Sequence, residues 1–291
     1  MAKLLLAKEV TASMVETLRA RTATLREKGI TPCLAIIRCG ENPSDLSYER
    51  GALRCAAEVG VEVRSVVLPE NIGKDGLIGT IRTLNADKAV HGVLLFRPLP
   101  AQLRADQDEI CNALAPEKDV DCMTDLSYAG VFTGKKLGFA PCTAQACMEI
   151  LDHYGIDCRG KNAVVIGRSL VVGKPAAVML TAKNATVTVC HTKTVNVAEI
   201  AKRADILISA AGSLRSLNRD YVRPGQTVID VSMNWDAEKV TAKGVGGMSG
   251  DAVFDEVEPI VDAITPVPGG VGGVTNVVLI AHTVEAAERS E

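Results

Sequence analysis

Short, wholly apolar runs alternate with amphipathic stretches along most of the chain. Residues 7–28 carry Val10, Met14, Leu18 and Leu25 at helical spacing, with Gly29 and Pro32 beyond as stop signals. LAIIRCG then predicts a buried strand ending at Gly40. Residues 43–59 predict a helix entered through Pro43 and Ser44 and closed by Gly60. VEVRSVVLP supplies a second strand, residues 73–86 a third helix, and HGVLLFRPLP a third strand that breaks at Pro98 and Pro100. Buried strands alternating with helices imply βαβ units around a parallel sheet.

The second half repeats this logic. A helix is expected over 143–156, carrying Met148, Ile150 and Leu151, followed by the apolar strand NAVVIG. A helix at 173–183, the strand ATVTVCH and a helix at 196–203 come next. DILISAAG, TVIDVS and AITPVPGG are three further strand-like runs, and Thr275 to Ala287 reads as a last helix crossing back to the first domain. Four or five strands joined by short helices predict a Rossmann-type dinucleotide domain. The expected fold is therefore two α/β domains. The first covers 1–140 and is completed by the C-terminal helix at 275–291; the second covers 141–274, with the division in the turn-rich GFAPCT stretch.

Composition narrows the class without naming a function. Hydrophobic residues at 47% and charged residues at 23% are ordinary for a soluble globular chain. A net charge of −3 and 3% aromatics give neither an electrostatic footprint nor stacking platforms for nucleic acid. The three leucines of MAKLLLAKEV are too few for a signal peptide or a membrane span, so a cytoplasmic protein is expected. Nine cysteines form no evident bridge pattern, and neither Cys33 with Cys39 nor Cys142 with Cys147 has metal-ligand spacing. Reduced, packed thiols and no dedicated metal site are expected.

Candidate chemistry begins where NAVVIG runs into RSLVVGKP. The chain turns at Gly167 and opens a helix near Gly173 or Lys174, so backbone and helix N-terminus can approach a pyrophosphate, with Arg168 and Lys174 making the mouth positive. The spacing is not GxGxxG, and a plain βα turn with a solvated arginine is the bland alternative. Ala211-Gly212-Ser213 and Asp230-Val231-Ser232 end two further strands, and such ends converge on one crevice in an open α/β sheet. Thr192 lies past the second strand of this half, where an adenosine ribose is held, without an Asp or Glu beside it. Arg168, Thr192 and Lys193 suit a ribose 2′-phosphate instead, which favours NADP over NAD.

KDVD, PCTA, GRSLVVGKP, CHTKT and TPVPGGVGGVT, in this order along the chain, carry a resemblance. The sequence resembles the bifunctional methylenetetrahydrofolate dehydrogenase/methenyltetrahydrofolate cyclohydrolase family over essentially its whole length. The resemblance implies an N-terminal α/β domain, a C-terminal NAD(P)-binding domain, a folate cleft between them, tetrahydrofolate derivatives as substrates and a homodimer. It implies that Tyr48 packs on the folate ring system, that Asp121 holds the pterin, and that Pro268, Gly269, Gly270 and Val271 line the folate pocket. The implied cofactor set is Gly167, Arg168, Ser169, Gly173, Thr192, Ala211, Gly212, Ser232 and Thr275. The roles make chemical sense: a carboxylate accepts from the amino and amide edge of a pterin, and an aromatic face covers the ring.

Several positions depart from the family pattern. Four residues after the tyrosine, where the family carries a catalytic lysine, stands Ala52; the glutamine that partners the lysine is replaced by Phe96. Arg97 follows Phe96 and alternates to the other side of a regular strand unless the chain kinks before Pro98. Cys122, Ala144, Ser232 and Gly273-Val274 replace a glycine, a proline, a glycine and a Pro-Met pair. Cys142 of the PCT signature is expected to pack rather than to act as a nucleophile. Hydride removal from the bridging methylene moves no proton, whereas hydrolysis of the methenyl cation needs proton transfer. The expectation is thus an NADP-dependent dehydrogenase with cyclohydrolase activity absent or weak. The alternatives are a bifunctional enzyme in which Arg97, Glu49 or a water substitutes for the lysine, and a non-catalytic folate- or nucleotide-binding relative.

Overall fold

The computed structural model describes residues 1–241 and 244–290; Glu291, at the end of the expected last helix, lies outside them. In chain order the elements are β1 (Lys3–Leu4), α1 (Ala7–Glu27), β2 (Cys33–Cys39), α2 (Pro43–Val59), β3 (Glu62–Leu68), α3 (Lys74–Ala86), β4 (Gly92–Leu95), α4 (Gln107–Asn112), α5 (Asp125–Thr133) and α6 (Cys142–His153). There follow β5 (Asn162–Ile166), α7 (Gly173–Ala182), β6 (Thr186–Cys190), α8 (Val197–Lys202), β7 (Ile206–Ser209), β8 (Thr227–Asp230), β9 (Asn234–Thr241), β10 (Gly244–Ser249), α9 (Phe254–Val257), β11 (Ala263–Ile264) and α10 (Val271–Arg289). They form two compact α/β units: Ala12–Cys142 with Asn276–Glu291, and Met1–Thr11 with Thr143–Thr275. The first eleven residues therefore lie with the second half of the chain, not with the first as expected.

In the unit spanning Ala12–Cys142, β2 is the centre of a parallel three-stranded sheet ordered β3-β2-β4. Apolar side chains of β2 and β4, such as Ala35, Ile37, Val93 and Leu95, pack with Leu77 and Ile81 of α3 and Ile110 of α4. Helix α2 starts as its sequence requires: Asn42 Oδ1 accepts from the Ser44 N–H, Pro43 occupies the first turn, and Gly60 closes the helix at φ 79°. Its face bearing Ala52, Cys55, Ala56 and Val59 is buried.

The other unit has a six-stranded sheet ordered β1-β11-β8-β7-β5-β6, parallel at every pairing. It has more strands than the four or five expected, because β1, from the first residues of the chain, pairs with β11; of AITPVPGG only Ala263–Ile264 is extended. The antiparallel hairpin β9–β10 was not foreseen, since its sequence is polar and glycine-rich rather than alternating. Helix α10 begins at Val271, four residues ahead of Thr275, inside a glycine-rich run that reads as turn.

Candidate functional site

Of the four residues in KDVD, three serve the fold. Lys118 Nζ donates to the carbonyls of Leu84, Asn85 and Asp87 at 2.7–2.9 Å, closing the C-terminal end of α3. Asp119 is fully buried and accepts from the N–H groups of Met123 and Thr124 and from Thr124 Oγ1. The Val120 carbonyl faces His282 Nδ1 at 2.9 Å and accepts from Cys142 Sγ. Burial pushes the His282 pKa down, so its ring is neutral and Nδ1 carries the proton. Asp121 alone keeps its carboxylate for something else.

Around Asp121 the chain gathers Tyr48, Phe96, Arg97, Tyr128 and Cys142. The Arg97 guanidinium stands 3.7 Å from Asp121 Oδ2, with Tyr128 beside it. Strand β4 ends at Leu95, and only the Phe96 N–H continues its ladder, onto the Ile37 carbonyl. Strand alternation therefore does not govern Arg97, and the kink before Pro98 brings its charge to Asp121. Burial pushes the Asp121 pKa up, against the opposing pull of Arg97 and of hydrogen bonds from Cys142. Burial also raises Tyr48 well above the usual phenol range and Tyr128 to about 12. Arg97 stays protonated: burial opposes its charge, but Asp121 and Tyr128 hold it.

Tyr48 and Phe96 meet edge to face, with ring centroids 5.8 Å apart at 89°. Ala52 is fully buried on the same helix. Glu49, one of the expected substitutes for the lysine, is committed elsewhere. It is buried, pairs with Arg38 Nε at 3.1 Å and accepts from Ser65 Oγ, while Arg38 also donates to the Gly40 carbonyl. Cys142 is fully buried and its pKa is driven far up by burial, as befits a packing thiol. Cys122 sits at φ 57°, a backbone region that favours the glycine it replaces.

In the other unit the register aligns the strand ends. Cys190, Ile166, Ser209 and Asp230 lie side by side across β6, β5, β7 and β8. The turns beginning at His191, Gly167, Ala210 and Val231 therefore leave one edge of the sheet together. Gly167 has φ 127°, and a Cβ there would overlap the Ala210 carbonyl; one on Gly173 would overlap the Gly167 carbonyl. Both glycines let backbone pack on backbone where α7 begins. Ser169 Oγ accepts from the Val172 N–H at 3.1 Å, so this hydroxyl shapes the turn. Arg168 and Thr192 each follow the paired Ile166 and Cys190 by two residues, and both are exposed.

Asp251, which the sequence did not single out, ties these turns together. Its buried carboxylate accepts from Ser209 Oγ, from the N–H groups of Ala211 and Ser213, and from Ser232 Oγ, all at 2.8–2.9 Å. Ser232 Oγ in turn accepts from the Gly212 N–H. Asp251 follows the unforeseen hairpin, so nothing in the pattern placed it at the strand ends. Asp230 accepts from the N–H groups of Asp251 and Ala252, and burial raises its pKa to about 6. Thr275 is buried and donates to the Val271 carbonyl inside α10. Pro268 and Gly269 are exposed, Gly270 and Val271 are buried, and the Gly269 carbonyl accepts from the Ala7 N–H. The structure thus groups Tyr48, Phe96 and Asp121 in one unit and the strand-end residues in the other. All nine cysteines are free thiols, and no described helix is long and apolar enough to cross a membrane.

Two family models cover most of the chain. The model for the tetrahydrofolate dehydrogenase/cyclohydrolase catalytic domain matches residues 5–121, and that for the NAD(P)-binding domain of the same family matches residues 141–291. The bifunctional protein FolD of Carboxydothermus hydrogenoformans is 46% identical over 99% of this chain and 98% of its own length. The FolD methylenetetrahydrofolate dehydrogenase/cyclohydrolase of Campylobacter jejuni has a crystal structure matching 99% of both chains, at TM-score 0.92 and 37% identity. A Trypanosoma brucei FolD structure, in complex with NADP cofactor and inhibitor, matches 99% of this chain and 98% of its own at TM-score 0.92 and 33% identity. The chain belongs to the tetrahydrofolate dehydrogenase/cyclohydrolase family.

Proposed function

We propose that the protein oxidises 5,10-methylenetetrahydrofolate to 5,10-methenyltetrahydrofolate with NADP, and that its cyclohydrolase activity is absent or weak. Ala52, fully buried where a proton-transferring side chain is expected, carries this reading. Phe96 offers Tyr48 an aromatic edge rather than a polar partner. Arg97 is a cation that does not release its proton, and Glu49 is held by Arg38. Tyr48 covers the pterin and Asp121 accepts from its donor edge. Loss of hydride leaves a cation shared by two folate nitrogens and requires no base, so orientation by these side chains suffices.

The strand-end turns fit NADP. Gly167 and Gly173 let the Ala210 and Gly167 carbonyls pack where a Cβ would stand, and Gly173 opens the N-terminus of α7, where an anion is favoured. Exposed Arg168 and Thr192, each two residues past the end of adjacent strands, suit the 2′-phosphate. When bound, the nicotinamide supplies the hydride acceptor. The same family reading carries a homodimer in the cytoplasm. A bifunctional enzyme is the second reading, favoured by the bifunctional relatives and by Arg97, which returns a positive charge to the cluster.

Purified protein with methylenetetrahydrofolate and each nicotinamide cofactor separates the readings when reduced cofactor and methenyl absorbance are followed together. Reduced NADP and methenyltetrahydrofolate rising in step, with the latter decaying little faster than in buffer, is the expected result. Rapid methenyl loss gives the bifunctional enzyme, and no turnover with either cofactor defeats the dehydrogenase assignment.

A further inference from the structure

Arg97 and Asp121 form a pair whose hydrogen-bonding capacity is only partly used. Their side chains remain 20% and 25% exposed, and at 3.7 Å the closest approach exceeds a direct hydrogen bond. A loose pair of this kind contributes little to stability. Tyr128 stands beside the guanidinium and Cys142 beside the carboxylate, and both favour the charged forms of the pair. A planar donor fork thus stands beside an acceptor, each with an open side.

That arrangement complements a lactam, which presents a carbonyl and an N–H on neighbouring ring atoms. With hydrogen bonds of about 2.9 Å to each, their partners stand roughly 3–4 Å apart. We propose that Arg97 is a specificity-determining residue that donates to the ring carbonyl of the pterin while Asp121 accepts from the adjacent ring N–H, so that the pair selects a 4-oxo over a 4-amino pteridine. This rests on the folate reading above. An amino group in place of the carbonyl sets donor against donor at Arg97 and turns the neighbouring ring nitrogen into an acceptor facing a carboxylate. Such mismatched polar groups are costly inside a binding site.

The test compares the dissociation constants of folic acid and 4-aminofolic acid for wild type, Arg97→Leu, Arg97→Lys and Tyr128→Phe, with NADP binding as the check of folding. Arg97→Leu is expected to weaken folic acid roughly tenfold to a hundredfold and to leave its 4-amino counterpart nearly unchanged. Arg97→Lys keeps part of the preference, and Tyr128→Phe shifts the ratio the same way by less. A ratio unmoved in Arg97→Leu, or in both milder variants should the leucine protein not fold, overturns the assignment while wild-type dehydrogenase turnover still stands. A wild type that neither binds folic acid nor turns over methylenetetrahydrofolate overturns the folate reading beneath it.

Discussion

Neighbouring residues on one helix face opposite fates here. Tyr48 meets Phe96 in the candidate site, whereas Glu49 turns into the ion pair with Arg38, where the two side chains are only 8% and 9% exposed. Breaking a buried pair by removing one partner costs about 3–5 kcal/mol, because the remaining charge is stranded. Glu49→Ala should therefore lower unfolding free energy by about that amount in denaturant titration. Glu49→Gln should lose less, and its methenyl hydrolysis per folded molecule should equal that of wild type. A glutamine protein of full stability with slowed hydrolysis would mark Glu49 as a proton-transfer group after all. Tyr48, Asp121 and Phe96 were singled out by the family resemblance, since local pattern alone reads Tyr48 as helix packing and Asp121 as a turn residue. The partners of Arg97 were not, since strand alternation said nothing about a side chain beyond the last ladder residue.

At the level of elements, the junction of β5 and α7 has the narrowest tolerance. The Gly167 carbonyl fills the space that a side chain at residue 173 would need, and both partners there are backbone. Gly173→Ala therefore forces the turn apart instead of displacing a flexible side chain, an overpacking cost of about 1–3 kcal/mol. NADP and NAD binding should weaken together in this variant, because the shared pyrophosphate turn moves. Thermal melts and cofactor titrations check both effects. A folded Gly173→Ala protein with unchanged cofactor affinity would remove this turn from the site. Most helices and the longer strands were readable from periodicity, including α2, whose bounds match expectation. The hairpin β9–β10 and the two-residue strand β1 were not, because too few alternating apolar positions mark them, whereas β11 keeps two residues of the expected run AITPVPGG.

Across the whole molecule, the two units divide the chemistry between chain segments that are not simply its first and second halves. Lys3 and Leu4 join the six-stranded sheet by pairing with Ala263 and Ile264, a long-range contact that no local pattern announces. Arg168 and Asp121 fall in different units and share no hydrogen bond or ion pair among the described residues. Their substitutions should therefore act independently on binary binding. Arg168→Ala removes a charge-assisted phosphate contact and should raise the NADP dissociation constant roughly tenfold to a hundredfold, leaving NAD and folic acid nearly unaffected. Asp121→Asn presents an amide donor to the donor edge of a pterin and should weaken folic acid alone. In the double variant each ligand should respond as it does to the relevant single change, within about 0.5 kcal/mol. Titrations of the four proteins with each ligand supply the comparison. Equal losses of NADP and NAD in Arg168→Ala would move this arginine from the 2′-phosphate to the turn, and a folate affinity indifferent to Asp121→Asn would take that carboxylate out of the site.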